Sequence, residues 1–507
     1  MTVPSPGPLS FAALRDAVLA GREPPPLPSV ARLASYRWFV VATVCIGAFM
    51  GQVDASMTQM LLPRLEADFA APLSTVSWVA VAYILVMASF MPIFGRLADM
   101  VGRKLLYTVA FVIFVIGSAL CGFAPDLPTL VAFRILQGIG AALLTANSIA
   151  IVVLAAGPEH RGRALGLQSA AQAIGLGVGP AVGGLIIDTL GWHWAFWINV
   201  PFGIVGAALG WLLLPQTRHL QGKARFDWSG ALLIAPALTA LVTMLNQGQA
   251  WGVTSPAFLA CGGLAVVFVV LFVRAERRAE APLVDLALLR QPAFLTGNVA
   301  NFLSYAMLFG VFFLVPFMLV RVYDESAFVA GLRLSIIPVM LGLLAPVGGA
   351  LYDRVGARAV TALGMAVCIG AIALLFFFLD GAVAHMPLVM AGLAMFGIGQ
   401  GLFISPNSSA IMATAPEEQT GEAGSLLNVV RYLGISTGIA GASTLLAMSI
   451  HMISGVRAGT VDAAPSTLIA AGGNVLVLLA GFGVLAMLLS LVRTAPHKPR
   501  GDEPVEV

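Results

Sequence analysis

Long apolar stretches alternate with short polar segments along almost the whole chain. A helix needs about 20 apolar residues to cross the hydrocarbon core of a bilayer, where every backbone polar group has to be hydrogen-bonded within the protein. The sequence therefore predicts fourteen transmembrane helices. They begin near Trp38, Val76, Leu105, Leu127, Ala164, Ala195, Trp228, Ala257, Ala293, Phe328, Ala359, Pro387, Ala423 and Leu468.

The composition supports this all-α membrane class. Hydrophobic residues make up 59% and charged residues 10% of the 507 residues, whereas soluble proteins carry about 25% charged residues. The net charge of +3 gives no reason to expect a nucleic-acid partner. No metal site or cofactor is predicted, because the four cysteines lie far apart in apolar stretches without a histidine or cysteine at ligand spacing.

The placement of lysine and arginine predicts the orientation, because these residues are enriched in cytoplasmic loops. With the N-terminus inside, 21 of the 27 basic residues fall in cytoplasmic segments, and three (Arg64, Arg321 and Arg457) fall in outer loops. Both termini are thus expected in the cytoplasm, as tails of residues 1–37 and 493–507. Within the first tail, the stretch from Leu9 to Ala20 forms either a loose chain or one short amphipathic helix.

Two of the cytoplasmic loops repeat one pattern 254 residues apart. Gly95, Leu97, Asp99, Gly102 and Lys104 correspond to Gly349, Leu351, Asp353, Gly356 and Arg358. Each loop follows the second span of a set of six if the seventh and eighth spans are an inserted pair. The repeat predicts two parallel six-helix halves, residues 38–215 and 292–492, and a linker with two inserted helices at residues 216–291.

Further motifs follow one another along the chain. The first span carries Asp54, followed by Gln59 and Pro63, and the fourth carries the segment Arg134–Gly140. The fifth carries the glycine-rich segment Gly175–Gly184, and the thirteenth carries Asn428–Gly434. Together with the repeated loops, these motifs resemble the major facilitator superfamily, specifically its fourteen-helix drug:proton antiporter branch. The resemblance extends from Trp38 to Val492 and implies a major facilitator fold.

The resemblance implies that the repeated loops form a cytoplasmic gate, in which glycines allow close approach and sharp turns. The gate residues are Gly95, Asp99, Gly102, Arg103, Lys104, Asp353 and Arg358. The competing interpretation is a pair of solvated charged turns that only fix the topology.

Asp54 and Arg134 lie at similar depths in their spans and are the candidates for proton coupling. An arginine inside a span costs at least about 2.5–3.5 kcal/mol unless it is paired or hydrated, and the resemblance implicates Arg134 in coupling. Burial disfavours an ionised carboxylate, whereas a nearby arginine favours it, so Asp54 can take up and release a proton. The alternatives are a permanently ionised structural pair and, for Arg134, a side chain that reaches the interface.

The glycine-rich segment predicts close helix packing. Gly175, Gly179 and Gly183 recur at every fourth residue and so line one face of the fifth helix. Pro180 removes a backbone hydrogen bond and can bend the helix. With Gly184, this segment resembles the fifth-helix motif associated with antiporters.

Polar side chains within the spans are candidates for the lining of a central cavity: Gln52, Gln59, Gln168, Gln172, Asn298, Asn301, Gln400 and Asn407, with Met57 as an adaptable apolar contact. The competing interpretation of each is a packing contact between helices. Arg431 lies about 12 Å in from the cytoplasmic end of its span. It is expected either to hold an anionic or polar group of the substrate or to pair with backbone carbonyls.

The resemblance, together with the fifth-helix motif, implies a proton-coupled secondary transporter, not an enzyme, that exports hydrophobic or amphipathic small molecules from the bacterial cytoplasm across the inner membrane. Departures from the branch pattern at Met57, Gln59 and His193 keep open a second interpretation, the import of a small metabolite or vitamin. A membrane-embedded enzyme or sensor would need convergent catalytic groups, which the spans do not supply. The expected partners are the substrate, protons and the lipid bilayer, and the branch leaves room for a periplasmic adaptor protein.

Overall fold

The computed structural model describes residue 23 and residues 25–217, 228–252, 254–279, 287–415, 420–455 and 460–492. Most of the two predicted tails, including the stretch from Leu9 to Ala20, lies outside these residues. The described α-helices are α1 (Pro28–Ala31), α2 (Tyr36–Phe69), α3 (Leu73–Val76), α4 (Trp78–Val101), α5 (Arg103–Cys121), α6 (Leu127–Ala156), α7 (Arg161–Thr189), α8 (His193–Trp197), α9 (Asn199–Leu213), α10 (Trp228–Trp251), α11 (Pro256–Glu276), α12 (Pro292–Arg321), α13 (Ala327–Leu334), α14 (Ile336–Val355), α15 (Ala357–Phe378), α16 (Met386–Met412), α17 (Thr420–Ser454) and α18 (Pro465–Val492).

Thirteen helical stretches in the described residues are long and apolar enough to cross a bilayer. Helix α10 is a fourteenth candidate, with 24 residues and an apolar portion at Leu232–Leu245. Each of the fourteen predicted starts lies within three residues of the beginning of a helix or of a crossing stretch. The predicted all-α membrane fold is therefore confirmed, and the described residues contain no strand.

The two repeated segments are not ten-residue loops, and in this respect the prediction is wrong. Helix α4 continues through Gly95 to Val101, and α5 begins directly after Gly102. Gly102 has a φ of +119°, and its counterpart Gly356, between α14 and α15, has a φ of +82°. Because glycine has no Cβ, it adopts these angles without steric cost, and one residue is enough to turn the chain.

The helices pack in two sets. Helices α2, α4, α5, α6, α7 and α9 pack against one another, and so do α12 and α14 to α18. Helices α10 and α11 pair with each other, and α10 also lies against α4 and α17. Helix α11 leaves most of its surface exposed, including Leu259, Leu264 and Val266, as expected of a helix that faces lipid.

The two sets are joined at the end of the bundle where α2 and α12 end. The polar contacts there connect Arg321 to the Pro63 carbonyl (2.7 Å), Glu66 to the Thr460 N–H (2.8 Å), and Asp188 to the N–H groups of Ala327 (3.2 Å) and Phe328 (2.8 Å). Glycines also let backbones meet here, since a Cβ at Gly331 would overlap the Pro180 carbonyl. This end of the bundle is closed.

Candidate functional site

Asp54 on α2 and Arg134 on α6 form an ion pair inside the first set of helices. The Arg134 Nη1 atom lies 2.6 Å from Asp54 Oδ2, and both residues are fully buried. The sequence places the two residues at similar depths, and the structure brings them into direct contact. Removing one partner of such a buried pair typically costs about 3–5 kcal/mol, because the other charge is left uncompensated.

Two amide side chains complete the coordination of the carboxylate. The Nε2 group of Gln137 and the Nδ2 group of Asn199 donate to Asp54 Oδ1 at 2.8 and 3.0 Å. Arg134 also donates to Gln137 Oε1 at 2.7 Å and to the Val79 carbonyl at 2.9 Å. Both oxygens of the Asp54 carboxylate are thus engaged, Oδ2 by Arg134 and Oδ1 by the two amides.

Aromatic rings and a hydroxyl enclose this cluster. The Arg134 guanidinium lies 4.2 Å from the centre of the Tyr83 ring and 5.6 Å from that of Phe196. The Ser118 hydroxyl accepts from Gln137 at 3.1 Å. The Tyr83 hydroxyl is buried and has no hydrogen-bond partner among the described residues. Five long helices (α2, α4, α5, α6 and α9) thus meet at one charged, water-excluding site.

Sequence reasoning missed Gln137 and Asn199 as members of the site. Gln137 follows Arg134 by three residues and therefore shares its helix face, a signal that was available. Asn199 is 145 residues from Asp54 in the chain, and no local pattern links it to the acid. The folding of α9 onto α2 and α5 creates that contact.

A cavity lies beside this site, between the two sets of helices. The empty space in it, together with the part open to solvent, is about 490 Å³. Its lining consists of Gly47, Ala48, Gly51, Gln52, Ala55, Ile84, Met87, Leu144, Thr145, Ser148, Gln172, Phe309, Arg431, Tyr432 and Ile435. Asp54 is flanked on α2 by lining residues, although its own side chain points into the buried cluster.

Arg431 on α17 is the charged residue of the cavity lining. Its guanidinium lies 5.4 Å from the centre of the Tyr305 ring and 5.1 Å from that of Tyr432, within the range of cation–π contacts. The Nε atom is buried without a hydrogen-bond partner, and no carboxylate of the described residues lies within ion-pair distance. Arg431 therefore differs from Arg134 in having no counter-charge from the chain.

Only three of the ten predicted cavity residues (Gln52, Gln172 and Arg431) line this cavity, so the prediction needs correction for the others. Four of the other seven residues form hydrogen bonds through their amide groups, either to another helix or within their own: Gln168 with Ser148, Gln400 with Ser304, Asn407 with Gly297 and Asn298 with Phe294. Gln59 and Asn301 are buried in the packed helices, each with an amide atom that has no partner there. Met57 packs against Gly183.

The glycine-rich face of α7 packs directly on α2, the helix that carries Asp54. A Cβ at Gly175 would lie 2.6 Å from the Phe49 carbonyl oxygen, and one at Gly179 would overlap the Ser56 hydroxyl. Gly183 meets Met57 in the same way, whereas Gly184 faces Ala327 on α13. Helix α7, with Pro180 in its interior, thus connects the site helix to the second set.

The predicted gate residues lie at the end of the bundle opposite the closed contacts. The backbone N–H of Arg103 donates to the Thr217 hydroxyl at 2.8 Å, and that of Lys104 donates to the Glu23 carboxylate at 3.1 Å. Glu23 is buried against Gly102 and was not singled out from the sequence.

The corresponding residues of the second repeat, Asp353 and Arg358, are exposed. In the first repeat, Gly95 is not needed for close packing, because a Cβ there would meet nothing within 4 Å. The side chain of Asp99 lies outside the described residues. The two repeats therefore share the glycine turn but differ in their surroundings: among the described residues, Glu23 covers the first turn, whereas Asp353 and Arg358 beside the second are exposed.

The family of this chain follows from comparison with known proteins. A family model described as Major Facilitator Superfamily matches residues 44–439. The chain belongs to the major facilitator superfamily. Solved structures share its fold: the structure of the POT family transporter PepTSo matches with a TM-score of 0.65 at 13% identity, and the match covers 91% of this chain and 98% of the PepTSo chain.

Two relatives within the superfamily carry different functional names. The Riboflavin transporter RibZ of Clostridioides difficile is 35% identical over 82% of this chain and 89% of its own length. The Multidrug resistance protein B homolog of Mycobacterium tuberculosis is 30% identical over 80% of this chain and 75% of its own length. The chain is therefore a multi-pass membrane transporter of small molecules, and its relatives point to more than one kind of substrate.

Proposed function

We propose that this transporter exports hydrophobic or amphipathic small molecules in exchange for protons. The observation that carries the proposal is the buried Asp54, an acid held by Arg134, Gln137 and Asn199 on the helix that also lines the cavity. A carboxylate in such a place can exist in two charge states of very different energy. Protonation of Asp54 can affect the cavity, because Asp54 and part of the cavity lining belong to the same helix, α2.

The coupling follows from the ion pair. In the deprotonated state, Asp54 neutralises Arg134 and holds α2 to α6 and α9. A proton on Asp54 removes the counter-charge and leaves a buried cation, which is costly. The cluster then relaxes by moving its helices, and this movement opens one side of the cavity as the other closes.

We further propose the membrane arrangement. Residues 38–215 and 292–492 form the two halves, residues 216–291 carry the inserted pair, and the chain belongs to the fourteen-helix antiporter branch with both termini in the cytoplasm of a bacterial cell. The closed end, where Arg321 contacts Pro63, then faces outward. The contacts at that end support an inward-open state and have to separate when substrate leaves.

The experiment uses everted membrane vesicles that hold an acidic interior, reported by the quenching of an acridine dye. A transported compound added outside should restore fluorescence as protons leave in exchange, and vesicles with Asp54→Asn should show no response. If compounds that bind the purified protein enter wild-type vesicles without moving protons, proton exchange is excluded as the mechanism.

The second candidate is the import of a small metabolite or vitamin, and one observation favours it: the 35% identity to a protein named as a riboflavin transporter. Uptake of labelled riboflavin by cells that cannot synthesise it, with and without the gene, tests this function. Drug tolerance of a deletion strain is the complementary test. An unchanged tolerance to a broad panel together with lost uptake would favour import.

A further inference from the structure

The two arginines Arg134 and Arg431 leave the charge of the central region unbalanced. Arg134 is neutralised by Asp54 at 2.6 Å. Arg431 has aromatic neighbours but no carboxylate partner among the described residues, and it is the one charged side chain among the residues of the cavity lining. A single positive charge therefore faces this cavity.

An unpaired cation at this depth is tolerated only while water reaches it. The Arg431 side chain is partly accessible although it lies in a packed helix, and the cavity supplies that access. When the cavity closes around a substrate, the water has to leave, and the cost of the charge returns. A negative charge on the bound molecule would offset that cost at the moment of closure.

The other residues of the cavity lining indicate what the uncharged part of a bound molecule would be like. Phe309, Tyr432 and Ile435 offer aromatic and aliphatic surface, and Gln52 and Gln172 offer amide groups that can donate or accept. The Tyr305 ring, whose centre lies 5.4 Å from the Arg431 guanidinium, adds a further aromatic neighbour. An arginine presents several donors in a fixed geometry that matches carboxylate and phosphate groups.

We propose that the cavity selects organic anions, molecules with a flat aromatic or otherwise apolar body and one anionic group, and that Arg431 is the counter-charge. The proposal deepens the proposed function and rests on it only in taking this cavity as the substrate site. It also agrees with export, because an inside-negative membrane potential drives an anion outward. Cationic compounds of the same shape are then poor ligands.

The test compares two probes with the same ring system and opposite charge, 2-naphthoate and 2-naphthylmethylammonium. Their binding to purified full-length protein in neutral detergent is measured by calorimetry. Naphthoate is expected to bind at least about tenfold more tightly, the ratio that corresponds to about 1.4 kcal/mol. An anion that binds no more tightly than the cation, including the case in which neither binds, overturns the proposal.

Two variants test whether Arg431 is responsible for the preference for the anionic probe. Arg431→Gln should remove the preference for the anion, whereas Arg431→Lys should keep part of it, because the charge remains but the planar donor array is lost. An unchanged elution volume and melting temperature show that a variant is folded. If Arg431→Gln is folded and still prefers the anion, the assignment to Arg431 is wrong.

This binding experiment needs no proton gradient and no direction of transport. Anion selectivity without proton movement in everted vesicles would therefore leave the inference standing and remove the exchange mechanism. Proton exchange that is driven by cationic compounds alone would support the exchange mechanism and overturn the inference of anion selectivity.

Discussion

Arg134 and Arg431 are both arginines inside membrane-spanning helices, yet their surroundings are opposite. Arg134 is fully buried and has a carboxylate, an amide and a backbone carbonyl as acceptors. Arg431 lies at a cavity with two tyrosine rings and no acid within ion-pair distance in the described chain. The first site is complete by itself, whereas the second lacks a negative charge.

In the proposed function, this difference separates the two tasks that a coupled transporter has to perform. A closed ion pair can respond to one small ligand, the proton, because protonation changes its energy without any need for space. An arginine without a counter-charge, such as Arg431 at the cavity, can respond to a ligand that is larger than a proton. The pair belongs to the first set of helices and Arg431 to the second, so in the proposed function a movement of one set against the other would bring both sites into the same transport cycle.

Replacing Asp54 by asparagine should have the largest effect, since it breaks the first site outright. We expect proton-coupled transport to be lost and the protein to lose up to about 3–5 kcal/mol of stability, because Arg134 keeps its charge without a partner. Dye dequenching in everted vesicles and the melting temperature measure the two effects. Asp68→Asn is the matched control, because it makes the same change at the exposed end of the same helix. Normal proton coupling in Asp54→Asn would remove Asp54 from the mechanism.

Adding an acid to the cavity should make the second site resemble the first. Gln172 lines the same cavity as Arg431, so Gln172→Glu supplies a negative charge from the chain. We expect this variant to bind 2-naphthoate about tenfold more weakly than the wild type, with Gln172→Met as the uncharged control. Equal loss in the two variants would mean that Gln172 acts through its amide and not through charge balance.

Removing both charges of the pair should separate stability from coupling. The double variant Asp54→Asn/Arg134→Gln leaves no uncompensated buried charge, so we expect it to regain about 2 kcal/mol relative to Asp54→Asn. Transport should stay absent, because no group is left to carry the proton. Thermal unfolding and vesicle dequenching are measured on the same preparations. A double variant that exchanges protons would show that the ion pair has only a structural role.

The sequence predicted the helices well for a simple physical reason. Apolar stretches of about 20 residues have few alternatives in a bilayer, and so the predicted starts near Trp38 or Leu127 fall within two residues of the observed helices. Turn geometry was less predictable. The motif beginning at Gly95 reads as a polar loop, but its residues continue α4, and Gly102 alone reverses the chain.

The site was predictable only where charge was involved. Asp54, Arg134 and Arg431 stand out because ionisable groups are costly in a membrane. Amides carry no such signal: Gln52 and Gln172 line the cavity, whereas Gln168, one turn away from Gln172 on α7, bonds to Ser148. Which amide faces the cavity depends on how the helices pack, and the contact of Asn199 with Asp54 depends on the same long-range packing.

The smallest expected effect comes from trimming the first site without changing its charge. Asn199→Ala removes the donor that lies 3.0 Å from Asp54 Oδ1 but keeps the ion pair. The carboxylate then loses one of its two amide donors, so we expect the pH profile of transport to move, as dye dequenching in everted vesicles at several pH values would show. Asn474→Ala is the matched control, because it removes an amide donor whose acceptor is the hydroxyl of Ser449 and not a carboxylate. We expect its pH profile to match that of the wild type. A profile that stays in place in Asn199→Ala while stability falls would mean that Asn199 only packs α9 against α2, and the proton site would then consist of Asp54, Arg134 and Gln137 alone.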